Sequence, residues 1–223
     1  MCTVTWLRQS DGYTLFSNRD EKRSRPPALL PALDQRNGVR FLAPVDPAFG
    51  GTWIACNELG VSLALLNGIP GPRGATSRGS LVLEIADAPS LAEVSERLES
   101  MDLTCFAAFT LVAIEPRRAT LACTWDTRHL SIDHEAVPPF ASSSVDYAGV
   151  RTHRQREFSS LGELNVQKLR RFHASHVCMH REDAQTVSFT EIRVTPAAAE
   201  LIYQPGAPCE HRALHSISLA RRT

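Results

Sequence analysis

The stretch CTVTWLRQSDGYTLFSNRDE, residues 2–21, predicts a β-hairpin at the start of the chain. Both of its halves alternate between apolar and polar residues, which is the period of a strand with one buried face. Asp11-Gly12 separates the halves, and this dipeptide is a strong signal for a hairpin turn. A hairpin that turns there returns Arg19 to the side of Cys2. The pattern therefore predicts that the two ends of this segment meet.

The rest of the chain predicts alternating groups of strands and helices. GTWIACNE and VSLALLN, within residues 51–67, form a second predicted hairpin, whereas residues 22–50 are rich in Pro, Gly and Arg and predict a long surface loop. Further elements are predicted in this order: helices at 77–88 and 89–101, strands at 106–115 and 119–126, short strands at 129–133 and 138–144, helices at 146–161 and 164–175, and strands at 184–194 and 199–205. This order is typical of an α+β fold with two antiparallel sheets covered by helices. We expect a single domain over residues 1–223.

Composition excludes several classes of function. Lys plus Arg and Asp plus Glu both number 24, so the formal net charge is zero and no basic surface for nucleic acid is indicated. No apolar run approaches the roughly 18 residues of a membrane span, and the first residues do not resemble a signal peptide. We therefore expect a soluble cytoplasmic protein without a cofactor. The six cysteines include no C-x-x-C pair and are expected to be reduced, mostly buried thiols.

The position of Cys2 gives it a particular possible reactivity. Initiator methionine is normally removed before a small second residue, which would give Cys2 a free α-amino group beside its thiol. An α-amine has a pKa of about 7.7–8.0, so it can accept the thiol proton near neutral pH. One residue then supplies both nucleophile and base, which is the N-terminal nucleophile arrangement. Position alone does not distinguish this role from that of an ordinary strand cysteine.

Three motifs make the chain resemble the NRDE family, also called the transport and Golgi organisation protein 2 family. They are Met1-Cys2, the Asn-Arg-Asp-Glu run at 18–21 and the Gly-Gly-Thr-Trp run at 50–53, in that order. The segment NELGVSLALLNG, residues 57–68, is also similar to a segment of choloylglycine hydrolases and penicillin V acylases, which are N-terminal cysteine amidases. The resemblance implies a four-layer αββα sandwich, the fold of N-terminal nucleophile hydrolases.

The resemblance also implies a set of catalytic residues. Cys2 corresponds to the nucleophile, and Arg19 and Asp20 correspond to the charged residues beside it. Asp20 can bind the α-ammonium group, whereas Arg19 can favour the thiolate. Asn67 corresponds to the amide donor that stabilises the oxyanion. A late arginine also belongs to the amidase pattern, and Arg181 is the candidate for it.

The expected substrate-binding residues are Asn18, Trp53 and Ser143. The amidases carry a second asparagine in a later segment, whereas the comparable stretch of this chain is FASSSVDY, residues 140–147. A serine hydroxyl or a backbone N–H would have to replace that amide. Half of the expected oxyanion hole therefore depends on whether one of these groups donates in place of the asparagine amide.

The late segment FHASHVCMHRED contains a competing set of side chains. If it forms a strand, His176, Cys178 and His180 share one face and form a plausible ligand set for zinc or haem. Their spacing matches no standard zinc pattern, and Cys209 or His211 would have to join from a distant loop. We therefore expect no metal, and we expect this strand to border the same cleft.

Two functions are compatible with these residues. The first is hydrolysis of a non-peptide carbon–nitrogen bond, such as that of an N-acyl amine, by Cys2 after removal of Met1. The alternative, which the family resemblance also implies, is a non-enzymatic protein that binds or carries haem or an acyl lipid in the same cleft. A third possibility is a fold that has lost its chemistry. The expected partner is a small molecule, and a homo-oligomer is left open.

Overall fold

The computed structural model describes residues 2–71 and 74–222, in which strands predominate. The strands are β1 (Cys2–Gln9), β2 (Gly12–Lys22), β3 (Leu29–Arg36), β4 (Val39–Val45), β5 (Ile54–Asn57), β6 (Ser62–Asn67), β7 (Phe109–Ile114), β8 (Leu121–Trp125), β9 (Leu130–Asp133), β10 (Phe140–Ser142), β11 (Ala184–Val194), β12 (Ala198–Pro205) and β13 (His215–Ala220). The helices are α1 (Arg78–Ile85), α2 (Leu91–Ser100), α3 (Tyr147–Ser159) and α4 (Val166–Arg171), which continues as π-helix over Phe172–His176. No helix in these two ranges has both the length and the apolar character needed to cross a membrane.

The strands form two antiparallel sheets that pack face to face. One sheet has six strands in the order β10-β1-β2-β11-β12-β13, and the other has seven in the order β3-β4-β5-β6-β7-β8-β9. Their facing sides share an apolar core that includes Trp6 and Leu15 from the first sheet and Leu66 and Val112 from the second. Because the inner strands are covered on both faces, nearly every residue of β2 and β6 is buried.

Helices cover the outer face of each sheet. α1 and α2 contribute Leu81 and Leu98 to a core that includes Leu111 of the seven-stranded sheet. α3 and α4 contribute Phe158 and Leu169 to a core on the six-stranded sheet. The layers therefore run helix, sheet, sheet, helix. This arrangement confirms the predicted α+β class and the four-layer αββα sandwich that the resemblance implied.

β1 and β2 form the predicted first hairpin, and its register fixes the positions of the charged residues. Cys2 is the direct cross-strand partner of Arg19. Since side chains alternate along a strand, Cys2 and Arg19 share the face that looks toward the other sheet. Asn18 and Asp20 occupy the opposite face, which looks toward α3 and α4. The side chains of the Asn-Arg-Asp-Glu motif are thus divided between the two faces of one sheet.

Residues 22–50 are not the long loop that their composition predicts. Leu29–Arg36 and Val39–Val45 pair as a hairpin around Asn37 and Gly38. Both turn residues have positive φ, 46° and 79°, as a two-residue type I′ turn requires. β3 is an edge strand with nearly every side chain exposed, so it lacks the apolar alternation of a strand with one buried face. β13 is likewise a largely exposed edge strand, and the sequence gives no prediction for it.

A buried histidine ties the π-helical turn after α4 to the six-stranded sheet. His173 Nε2 lies 2.8 Å from Thr5 Oγ1, and its Nδ1 lies 3.0 Å from Asn18 Oδ1. The side-chain amide of Asn18 donates in turn to the carbonyl of His173 at 2.9 Å. Burial, together with the nearby charge of Arg154, lowers the pKa of His173 from 6.5 to about 3. The imidazole is therefore neutral in the folded protein near neutral pH.

We predict that His173 makes the protein less stable in mild acid. Because its folded-state pKa is below its unfolded value, the unfolded chain binds the proton first as the pH falls. The contribution of neutral His173 to the free energy of unfolding is complete above about pH 6.5 and is lost toward pH 3. In this range the free energy of unfolding falls by up to about 1.4 kcal/mol per pH unit. Urea unfolding at several pH values between about pH 7 and pH 5 measures this slope, and His173→Gln should flatten it.

His134→Gln is the matched control, since His134 is exposed. It should leave the slope of the wild-type protein unchanged. An unchanged slope in His173→Gln would show that other groups cause the acid sensitivity.

Candidate active site

Cys2 lines a small pocket of about 110 Å³ at one end of the interface between the two sheets. The described residues around it come from the ends of β1 and β2, from the segment between β4 and β5, and from the end of β6 with the start of α1. They are Cys2, Arg19, Glu21, Arg25, Asp46, Gly51, Thr52, Trp53, Leu65, Asn67, Ser77, Arg78 and Gly79. The pocket therefore brings together residues from all of the early sequence motifs.

Two contacts from the opposite sheet hold Arg19 in the pocket. Its Nη2 lies 2.6 Å from Asp46 Oδ2, and its guanidinium carbon lies 4.1 Å from the ring centre of Trp53. Arg25 Nη2 also lies 2.6 Å from the same oxygen of Asp46. Since Arg19 is 5% exposed, these contacts compensate its charge in a largely dry environment. Because Arg19 and Arg25 share one carboxylate, this group of three side chains keeps one net positive charge beside Cys2, the strand partner of Arg19.

The main-chain atoms of Cys2 are held on both sides. Its nitrogen donates to the hydroxyl of Ser142 at 3.1 Å, and its carbonyl accepts from Arg154 Nη1 at 3.1 Å. In the chain that retains Met1 this nitrogen is a peptide amide, and after removal of Met1 the same atom would be the α-amine. Burial raises the pKa of the Cys2 thiol, so the thiol is protonated near neutral pH and needs a base to become nucleophilic.

Asp20 lies beneath Cys2, on the helix-facing side of the sheet. Its carboxylate is fully buried, 3.4 Å from Arg154 Nη2 and 2.6 Å from the hydroxyl of Thr186. Burial raises the pKa of Asp20, and the charge of Arg154 opposes that shift. Arg154 also contacts Thr3. This network fixes the first residues of β1 from behind and positions the Cys2 backbone.

Asn67 and Arg78 complete the polar lining of the pocket. Asn67 ends β6, and no residue that the structure describes hydrogen-bonds to its side-chain amide. Arg78 begins α1 and donates to the carbonyl of Ala108 at 2.7 Å. Burial lowers the pKa of Arg78, and the charge of a Cys2 thiolate opposes that shift, so the two side chains interact electrostatically. Besides Arg19 and Arg25, the pocket thus offers an amide donor and a third cation.

The structure brings five of the predicted site residues together. Cys2, Arg19, Trp53 and Asn67 line the pocket, and Asp20 supports it from behind. The other three predicted residues have different surroundings.

Asn18, Ser143 and Arg181 do not reach the pocket. Asn18 bonds to His173 on the helix side of the sheet. Ser143 accepts hydrogen bonds from the backbone N–H groups that lead into α3. Arg181 is on the surface and pairs with Asp183 at 2.8 Å. The late arginine that contacts Cys2 is Arg154, through the Cys2 carbonyl, and the sequence did not distinguish it because it lies within a polar helix.

The structure also adds Arg78 and Ser142 to the predicted site. Arg78 follows a glycine-rich segment that carries no charge pattern, so only the fold shows that it faces Cys2. Ser142 is the residue before the predicted Ser143, and it pairs directly with Cys2 in the β1–β10 ladder. The predicted residue, Ser143, is therefore one position away from the serine that contacts Cys2.

The prediction that His176, Cys178 and His180 share a strand face is wrong for His176, whereas Cys178 and His180 do point to the same side of an extended segment. The chain is π-helical over Phe172–His176, and the His176 ring pairs with Glu157 at 3.0 Å. The set also does not line the Cys2 pocket. The alternative function as a haem or acyl-lipid carrier stays a prediction, but these side chains do not lie in the same pocket as Cys2.

Solved structures of amidases are similar to this fold. The mutant C2A of conjugated bile acid hydrolase from Clostridium perfringens has a TM-score of 0.63 and 10% sequence identity, over 100% of this chain and 97% of that chain. Penicillin V acylase from Agrobacterium tumefaciens has a TM-score of 0.63 and 10% identity, over 98% and 86%. The N-acylethanolamine-hydrolyzing acid amidase ortholog of Caenorhabditis elegans has a TM-score of 0.61 and 10% identity, over 86% and 92%. The chain thus has the N-terminal nucleophile hydrolase fold.

Sequence comparison identifies the family. The family model for Transport and Golgi organisation 2 matches residues 1–165, and the chain belongs to this family. No curated protein matches the chain in sequence. The resemblance that the early motifs carried is confirmed.

The Gly-Gly-Thr-Trp motif has a steric role in the pocket wall. A Cβ atom added to Gly51 would lie 2.5 Å from the carbonyl carbon of Gly79, at the start of α1. The backbone of Thr52 also donates to the carbonyl of Gly79 at 3.1 Å. The two segments can approach this closely only without a side chain at position 51.

We predict that Gly51→Ala destabilises the protein by about 1–3 kcal/mol, because α1 must move away from the pocket wall. Thermal or urea unfolding measures the loss. Gly71→Ala is the control, since among the described residues the nearest atom to a Cβ atom there is the Ile69 carbonyl oxygen, at 3.9 Å. Equal stability of the two variants would contradict the steric role of Gly51.

Proposed function

We propose that the chain is an N-terminal cysteine amidohydrolase that acts on a non-peptide carbon–nitrogen bond once Met1 has been removed. The observation that carries this proposal is the position of Cys2, which lines a polar pocket beside Arg19 and together with Asn67. A cysteine that served only as packing would not need a cation and an amide in the same pocket. The likeness to three amidases of this fold supports the proposal.

The first step of the proposed reaction is attack on the substrate carbonyl. The α-amine of processed Cys2 accepts the thiol proton, and the sulfur forms a bond to the carbonyl carbon. Arg78 interacts with the thiolate electrostatically, and Arg19 is the strand partner of Cys2, so both cations would favour the thiolate against the effect of burial. The negative charge that develops on the carbonyl oxygen then needs donors within the pocket.

Asn67 is the proposed donor to that oxyanion. Its side-chain amide has no partner among the described residues, so it can turn to the oxygen without breaking an existing bond. Ser142 is the proposed partner of the α-amine, since its hydroxyl accepts from the same nitrogen before processing. This serine lies within residues 140–147, the stretch comparable to the amidase segment that carries an asparagine, so the proposed site is a variant of that pattern.

Release of the products completes the cycle. The carbon–nitrogen bond breaks as the leaving amine takes the proton from the α-ammonium group, and a thioester remains on Cys2. The α-amine then takes a proton from water, and the hydroxide attacks the thioester to give the carboxylic acid and the free thiol. No cofactor takes part in these steps.

The dimensions of the pocket suggest which part of a substrate it holds. Its volume of about 110 Å³ is well below the roughly 300 Å³ of a pocket that encloses a whole drug-sized ligand. We infer that the pocket holds the reacting amide, whereas the larger group of the substrate lies outside this volume.

Intact mass spectrometry and covalent labelling test the nucleophile. The purified protein should lack Met1, and a thiol-reactive amide probe should label residue 2. Cys2→Ala should lose this labelling, while Cys105→Ser, which removes a thiol that does not line the pocket, should retain it. Retention of Met1, or equal labelling of wild type and Cys2→Ala, would contradict the proposed mechanism.

The oxyanion donor is tested separately with a panel of N-acyl amines. Replacement of Asn67 by Leu keeps the size of the side chain and removes its donor. We expect the turnover number to fall by about 10²–10³ with a nearly unchanged Michaelis constant, because the contact strengthens in the transition state. A rise in the Michaelis constant alone would assign Asn67 to substrate binding instead.

A further inference from the structure

Three metal-ligating side chains converge on the surface away from the Cys2 pocket. They are Cys178, His180 and Cys209, and their ligand atoms all lie within 4.8 Å of one another. The Cys178 sulfur lies 3.4 Å from both His180 Nε2 and the Cys209 sulfur, and His180 Nε2 lies 3.0 Å from the Cys209 sulfur. The group thus forms a small triangle of two sulfur atoms and one nitrogen.

The triangle has nearly the size of one face of a tetrahedral zinc site. With Zn–S bonds of about 2.3 Å and Zn–N bonds of about 2.0–2.1 Å, tetrahedral geometry separates two sulfur ligands by about 3.8 Å and sulfur from nitrogen by about 3.6 Å. The observed separations are 3.4 Å between the two sulfur atoms and 3.4 and 3.0 Å between sulfur and nitrogen, which is shorter by about 0.2–0.6 Å. Small rotations of the side chains would therefore accommodate the ion.

Backbone contacts hold the Cys178–His180 segment in an extended form. The nitrogen of Met179 donates to the hydroxyl of Thr186 at 2.8 Å, and the nitrogen of Thr186 donates to the carbonyl of Met179 at 2.8 Å. His180 forms an antiparallel bridge with Gln185. Because side chains alternate in extended chain, Cys178 and His180 point to one side and the buried Met179 to the other.

A second anchored segment brings Cys209 to the same point. Cys209 lies in a 3-10 turn, Pro208–Glu210, that directly follows the buried Ala207. The carbonyl of Ala207 accepts from Gln204 Nε2 at 2.8 Å, which ties the turn to the end of β12. Both ligand-bearing segments are therefore fixed before any ion binds, and such preorganisation favours binding.

We propose that Cys178, His180 and Cys209 bind one Zn²⁺ ion per chain. Thiolate and imidazole ligands in tetrahedral geometry are the set that zinc prefers. Three side chains form the group among the described residues, so water occupies the fourth position. This site goes beyond the proposed amidase activity, which uses no metal, and it revises the expectation that the chain binds none.

The competing chemistry of this cluster is a disulfide between Cys178 and Cys209. Their sulfur atoms are 3.4 Å apart and both thiols are free in the structure. Closing the bond would need an oxidant and would remove two of the three ligands. The experiment must therefore begin with reduced protein and count its thiols.

The test is a zinc titration of the full chain after reduction and removal of metal with a chelator. We expect one Zn²⁺ per chain in competition with a chromophoric chelator. Co²⁺ should give the charge-transfer absorption of cobalt–thiolate bonds. Cys209→Ser and His180→Gln should each weaken zinc binding by more than about tenfold, since each removes a ligand outright. Cys105→Ser is the matched control and should bind as the wild type does.

Circular dichroism of the metal-free variants confirms that each remains folded, so that a loss of binding reports the ligand. Equal zinc affinity of wild type and Cys209→Ser would overturn the proposal. Failure of the reduced wild type to bind zinc, or recovery of the protein from cells as a metal-free Cys178–Cys209 disulfide, would also overturn it.

Discussion

The cross-strand pairing of Cys2 with Arg19 is the constraint on which the rest of the site depends. Side chains alternate along a strand, so a slip of one residue would turn Arg19 toward the helices and Asp20 toward the pocket. The observed register instead lets Arg19 reach Asp46 and lie over Trp53. Both of these residues belong to the segment between β4 and β5, across the pocket from Arg19. One strand pairing thus connects the thiol, its nearest cation and the interface between the two sheets.

The opposite face of the same sheet holds the buried charges that support this arrangement. Arg154 joins the carbonyl of Cys2 to the carboxylate of Asp20, and Thr186 binds the other oxygen of that carboxylate. Loss of one partner of a buried ion pair costs about 3–5 kcal/mol, because the other charge stays buried without compensation. Thr186 also binds Met179, so the segment of the proposed zinc ligands and the base of the Cys2 site share one hydroxyl.

Much of the first third of the fold could be predicted because its signals are local. Turn dipeptides and apolar alternation predict the hairpins that carry Cys2 and Asn67. Asn37-Gly38 is an equally strong turn signal, but the exposed strand before it has no apolar alternation, so the composition of this segment predicts a loop. Arg78 and Ser142 were missed because each is far from Cys2 in sequence and carries no pattern of its own.

The sequence by itself determined the chemistry that is available: a cysteine behind the initiator methionine, an arginine one hairpin later and an asparagine at a strand end. Local periodicity and the early motifs were enough for this, since each depends on neighbouring residues. Only the tertiary structure decided which distant groups join them. It placed Arg154 rather than Arg181 against the backbone of Cys2, and it brought Cys209 to His180. Such contacts depend on how the layers pack, and packing is set by the whole chain.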